Sequence, residues 1–285
     1  MNWFEAIILG AVQGATEFLP VSSSGHLTLG QHLLGVPEPG LLFDIILHVG
    51  TLLSVMAFYR REIFDVLDGL RRGVGNLARE KTLGAFARPE GARVALLVVA
   101  ATVPTGIIGL LLKGFIDPDG GASLITPRVV CGILIVNAFI LSLNKRFLER
   151  DGGSERTGSL AIWGLNLPVA LAIGVAQGIA VLPGLSRSGL TITLALALGV
   201  ERVNAARYSF LLSIPAILGA LVLKIGDAAL VDTARLWIFL GGAAVAAVVG
   251  YGCLVLLTLT LERARFHHFS TYCLIVGVIG LAFLR

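Results

Sequence analysis

The sequence is short of charge. Of its 285 residues only 14% are charged and 56% are hydrophobic, whereas an ordinary soluble domain carries roughly a quarter charged residues. A compact water-soluble fold cannot hide that much apolar surface, and disorder is excluded for the same reason. Cysteine is scarce and odd in number. Cys131, Cys253 and Cys273 all lie in apolar runs at spacings that fit no metal motif. A secreted disulfide scaffold is excluded, and the three read as small buried hydrophobes. The ten-residue alternating segments of a membrane barrel are missing too. No Lys or Arg precedes Arg60, and with Glu5 in an apolar N-terminal stretch this does not read as a cleaved signal peptide.

What is present is long continuous apolar sequence. The class is an all-α polytopic membrane protein. A helix needs roughly 20 apolar residues to cross the hydrocarbon core. Six transmembrane helices are predicted, at about 41–59, 94–112, 128–144, 207–224, 236–258 and 269–284. The net charge of +4 then marks the cytoplasmic side rather than a nucleic-acid surface. Loop 60–93 carries Arg60, Arg61, Arg71, Arg72, Arg79, Lys81, Arg88 and Arg93. Loop 145–159 carries Lys145, Arg146, Arg150 and Arg156, and Arg263 and Arg265 follow later. All are assigned inside, and 113–127, with Lys113, Asp117 and Asp119, outside. Both termini are then predicted on the outer side.

Two further apolar regions, 3–35 and 160–200, are interrupted by Pro20-Val21-Ser22-Ser23-Ser24-Gly25 and by Pro183-Gly184-Leu185-Ser186-Arg187-Ser188-Gly189. Broken backbone at membrane depth is tolerated only where protein or a wet cavity surrounds it. Each region is predicted to dip in and return as a re-entrant helix-loop-helix hairpin. The two resemble each other at an offset of 164. Gly10, Gln13 and Gly14 align with Gly174, Gln177 and Gly178, and Ser22, Ser24 and Gly25 with Ser186, Ser188 and Gly189. Three spans separate them, so the repeat is inverted in topology. The chain reads as a single membrane domain over 1–285, with repeat 1 about 1–144 and repeat 2 about 160–285. Inverted repeats place their site where broken helices meet near the midplane.

The first cluster runs from Gln13 to His26. Gln13 and Glu17 share a helix face at i, i+4, and Ser23 and His26 share one at i, i+3. Glu17, Ser23 and His26 supply a carboxylate, a hydroxyl and an imidazole, the inventory of a nucleophile, its base and an orienting acid. The bland alternative is a helix cap with one buried ion pair. In the second cluster Ser186, Ser188 and Thr191 surround Arg187. An arginine fork at a helix N-terminus suits phosphate oxygens, and the alternative is Arg187 clamping Glu17. No Walker-type spacing is present. Asp44 and His48, at i, i+4 in a span, read as structural or supporting. His267 and His268 read as solvated, and Gln177 as packing the broken helix.

The runs Gln13-x-x-x-Glu17, Glu17-Phe18-Leu19-Pro20-Val21-Ser22-Ser23-Ser24-Gly25-His26 and Pro183-Gly184-x-Ser186-Arg187-Ser188-Gly189-x-Thr191 resemble the undecaprenyl-diphosphate phosphatases, the bacitracin-resistance protein family. The resemblance covers the whole chain in length and span order. It implies a bacterial inner-membrane hydrolase that cleaves undecaprenyl diphosphate to the monophosphate, recycles that carrier for peptidoglycan synthesis and confers bacitracin resistance. It implies Ser23 as nucleophile and His26 as acid/base, some accounts making the histidine the nucleophile, with Glu17 essential and Arg187 on the phosphate. Ser186, Ser188, Thr191 and Gln13 are assigned to substrate binding. A divalent cation, Mg or Ca, is a family expectation supported through Glu17 alone, since Gln13 stands where many members have Glu. The expected partners are the prenyl diphosphate and membrane lipid, without nucleic acid. A homodimer is compatible, and the sequence does not define it. Direct attack by water fits equally well, and a lipid-phosphate flippase or anion transporter would share the architecture.

Overall fold

The computed structural model describes residues 1–36, 41–116, 126–149, 162–224 and 233–284. The expected outer-loop Asp117 and Asp119 and the cytoplasmic-loop Arg150 and Arg156 lie outside the described residues. Thirteen α-helices and no strands occur among those described. In chain order they are α1 Trp3–Phe18, α2 Ser23–Leu33, α3 Leu41–Phe58, α4 Arg60–Glu80, α5 Leu83–Phe86, α6 Glu90–Ile116 and α7 Pro127–Ser142. There follow α8 Asn144–Glu149, α9 Leu167–Ile179, α10 Arg187–Ala197, α11 Arg202–Lys224, α12 Thr233–Glu262 and α13 Phe269–Phe283.

The six expected spans correspond to α3, α6, α7, α11, α12 and α13. Five of these are long and apolar enough to cross a membrane alone, and α3 joins them as half of a pair with α4, bent by 80°. Their outer faces are apolar. Phe139 is 68% exposed and Val248 76%, which lipid tolerates and water does not.

Local sequence sets the ends. Asn2 and Glu5 form a reciprocal capping box at the start of α1. Pro20, lacking an N–H, cannot continue α1. Ser22 then caps α2 through Gly25 N–H, and Ser186 caps α10 through Gly189 N–H. Close backbone approach holds the bundle together. α1 and α3 lie along α12, α9 lies along α6, α7 pairs with α13, and both α2 and α10 touch α7. A Cβ on Gly10 would come within 2.3 Å of the Gly242 carbonyl, so only glycine fits there.

The expected loop 60–93 is mostly helix. Ile63, Val66, Leu67 and Leu70 recur at helical spacing, and Arg72 pairs with Asp68 one turn back. Gly69 packs against Gly91 and Gly73 against Phe86, so α4 lies on α5 and the start of α6. Cys131 and Cys273 are buried and Cys253 half-buried, all three as free thiols. His268 is exposed as expected, while its stacking partner His267 is half-buried.

Gly10→Val should lower the thermal unfolding midpoint in detergent by about 5 °C through overpacking. Gly75→Ala, where an added Cβ meets nothing within 4 Å, should not lower it.

Candidate active site

Both interrupted segments arrive at one place. Glu17 ends α1, Ser23 opens α2 and Arg187 opens α10. The Arg187 Nη2 donates to Glu17 Oε1 in a short ion pair, across 170 residues of sequence. The other carboxylate oxygen, Oε2, accepts from Ser23 Oγ at 2.6 Å and from Gln13 Nε2 at 2.9 Å. His48 Nε2 lies 3.5 Å from the same oxygen. Glu17 is thus buried but fully engaged, the condition under which a charge survives burial. Arg187 keeps Nη1 buried with no hydrogen-bond partner among the described residues. That donor is free for an incoming oxyanion.

A cavity of about 250 Å³ opens here. Glu17, Ser23, Ser24, His48, Ser186 and Arg187 give it a polar wall. Ile45, Leu185, Ala216, Ile217 and Ala220 give it an apolar one. An anionic head and an apolar tail would each find a matching surface. The N-terminus of α10 begins at Arg187 and turns its partial positive charge to the same region.

The expected residues do not all converge on the cavity. The sequence paired Ser23 with His26, but the structure has Ser23 donating to Glu17. His26 Nδ1 meets the Ser22 carbonyl at 2.8 Å, so that nitrogen carries the proton. Its Nε2 meets the Tyr272 hydroxyl at 2.9 Å, and the two rings stack. The imidazole does not line the cavity. Thr191 is fully buried and does not line the cavity, bonded to the Arg187 carbonyl and to Ser209 Oγ. Ser188 meets Ser186 Oγ and the Leu19 carbonyl. Gln13 steadies Glu17 rather than facing the cavity. Gln177 packs as expected, bonded to the Leu212 carbonyl.

Two residues matter more than the sequence indicated. His48 lines the cavity beside Glu17, its Nδ1 donating to the Asp44 carbonyl. The signal was its i, i+4 pairing with Asp44, whose side chain instead accepts from Gln31. Asn137, fully buried in α7, gave no signal, because a lone Asn in an apolar run has no distinguishing pattern.

For a divalent cation the donors are poor. Among the described residues no three of His, Cys, Asp and Glu gather. Glu17 is the one carboxylate in the cavity wall, and both its oxygens are occupied by donors. Glu17 could therefore give a magnesium ion a single carboxylate at most, with water and substrate phosphates filling the remaining positions.

Fold and site together define a polytopic helical membrane protein with an arginine, a carboxylate and serine hydroxyls gathered in one cavity. The chain belongs to the bacitracin resistance protein BacA family, whose pattern it matches over residues 6–279. It is 42% identical to an undecaprenyl-diphosphatase from Desulfosudis oleivorans, covering 99% of this chain and 98% of that one. It is 39% identical to one from Alcanivorax borkumensis over the whole of both chains, and 40% identical to one from Methanosphaera stadtmanae over 99% and 98%.

Removing one member of a buried ion pair strands the other. Arg187→Ala should destabilise the protein by about 3 kcal/mol, read as a fall in the unfolding midpoint in detergent. Adding Glu17→Gln should restore part of that loss. Losses that simply add would show that the two groups are not coupled.

Proposed function

We infer that this protein is an integral membrane phosphatase that hydrolyses undecaprenyl diphosphate to undecaprenyl phosphate and inorganic phosphate. The observation that carries the reading is the set Ser23–Glu17–Arg187, assembled from two distant broken helices inside one half-apolar cavity, in a chain of this family. The reaction returns the carrier lipid to peptidoglycan synthesis, and bacitracin resistance follows from the same recycling.

The terminal phosphate enters between Arg187 and the hydroxyls of Ser23, Ser24 and Ser186. The free Nη1 of Arg187 takes one oxygen, and the α10 N-terminus adds a partial positive charge. Ser23 Oγ attacks phosphorus in line. Its proton passes to Glu17 Oε2, the oxygen it already donates to, while the bond from phosphorus to the bridging oxygen breaks. Undecaprenyl phosphate leaves, and its acidity makes a strong proton donor unnecessary. Water, deprotonated by His48 Nε2, then attacks the phosphoserine; the bond from phosphorus to Ser23 Oγ breaks, protonated Glu17 returns its proton to that oxygen, and inorganic phosphate leaves. Phosphoryl transfer depends mainly on positioning and charge neutralisation. Glu17 is favoured over His26 as the base because only Glu17 accepts the Ser23 hydrogen bond. His26, held by Ser22 and Tyr272, steadies the turn that carries Ser23. A divalent cation, where bound, would supply charge neutralisation on the diphosphate.

In the membrane the pairs α1–α2 and α9–α10 act as re-entrant hairpins of an inverted repeat. Three features support this. Ser22 and Ser186 cap equivalent turns at the offset of 164. Gly10 and Gly174 each meet a backbone carbonyl, of Gly242 and Ala101. α1 lies along α12 as α9 lies along α6. The arginines of α4 set the cytoplasmic side of a bacterial inner membrane. The cavity then opens toward the outer leaflet, and both termini lie outside.

Purified protein in detergent should release phosphate from a long-chain prenyl diphosphate without any ion gradient, which a carrier would not do. Ser23→Ala should lower kcat by about 10³-fold or more. Arg187→Ala should lower it about 10²-fold, and His26→Ala by less than Ser23→Ala. A fully active Ser23→Ala would transfer the attack to water.

A further inference from the structure

The two turns that build the site are not held only by the groups that meet substrate. Each break frees backbone groups that no helix satisfies. At the first, the Pro20 carbonyl lies outside both α1 and α2. At the second, Ser186 N–H precedes α10 and has no helical acceptor. One side chain answers both. Asn137 Nδ2 donates to the Pro20 carbonyl at 3.0 Å, and Asn137 Oδ1 accepts from Ser186 N–H at 3.1 Å. Its second amide hydrogen is directed to Cys273 Sγ at 3.4 Å. The orientation of the amide is fixed by chemistry, since a carbonyl needs the donor end and an N–H needs the acceptor end. The residue is fully buried, and the partners lie 117 and 49 residues away in sequence.

We propose that Asn137 is a positioning residue for phosphoryl transfer, a spacer that fixes the Ser23 hydroxyl against the Arg187 guanidinium. Pro20 stands three residues before Ser23, and Ser186 is the immediate neighbour of Arg187. The amide therefore spans the two turns at the point where their separation decides whether one phosphate can meet both groups. α7 supplies the rigid post, touching both α2 and α10. Either turn could find a substitute partner by shifting, and the shift would misplace the reacting atoms. Misplacement of about 1 Å can cost about 10²-fold in rate. This inference rests on the phosphatase reading above.

Asn137→Leu keeps the branched shape and the number of heavy atoms and removes the hydrogen bonds to both turns. Phosphate release from a prenyl diphosphate in detergent should show kcat reduced about 10- to 100-fold, with KM changed less than threefold. In an Arg187→Lys background the same substitution should cost less than threefold, because the spacing matters only with the guanidinium in place. If Asn137→Leu does not fold, Asn137→Ser, too short to reach both turns, carries the same comparison. A variant with wild-type kcat and only a lower unfolding midpoint would overturn the proposal, as would losses that multiply with Arg187→Lys. Wild-type protein that releases no phosphate would instead defeat the phosphatase reading itself.

Discussion

A carboxylate and a guanidinium cannot stay charged in an apolar interior without each other, and the pair Glu17–Arg187 organises everything around it. Each charge sits at the end of a broken helix. Each break exposes backbone that lipid cannot satisfy. The fold answers by bringing the breaks together, so that Ser188 reaches the Leu19 carbonyl and Asn137 joins Pro20 to Ser186. The contacts that satisfy the two breaks also bring their polar side chains to one cavity wall.

Stability and chemistry share the same atoms here. Glu17 Oε1 balances Arg187, while Oε2 holds the Ser23 hydroxyl. In the proposed reaction an arriving phosphate would add negative charge beside a carboxylate, and the guanidinium with its unpartnered Nη1 would offset that repulsion. The apolar wall from α3 and α11 suits the first part of a prenyl tail. The rest of the tail is too long for a cavity of about 250 Å³ and must run out among the lipids.

Much of this was legible in the residues. Six apolar runs became six helices, since hydropathy over about 20 residues is a strong signal. Gln13, Glu17, Ser23 and Arg187 were identified because ionisable and hydroxyl side chains beside Pro and Gly are conspicuous in apolar sequence. What failed was pairwise detail. Ser23 and His26 sit at i, i+3 on one helix, and that spacing suggested a bond. Side-chain direction sends the imidazole to Tyr272, some 246 residues away, and no local spacing encodes that contact. Arginine density in 60–93 suggested a loop, yet the apolar residues at three- and four-residue intervals make α4 a helix. His48 reaches Glu17, and Asn137 reaches both turns, through tertiary contacts that no local spacing encodes.

The central claim is that one phosphate is held by both broken helices at once. Solid-state NMR can read this through dipolar dephasing between the ³¹P of a bound, non-hydrolysable prenyl diphosphonate and ¹³C in labelled serine and arginine. Ser23→Ala and Arg187→Lys samples would assign the signals. The account predicts that Ser23 Cβ and Arg187 Cζ both lie within about 5 Å of the same terminal phosphorus, the reach of direct hydrogen bonds. A phosphorus close to only one of the two carbons would contradict it.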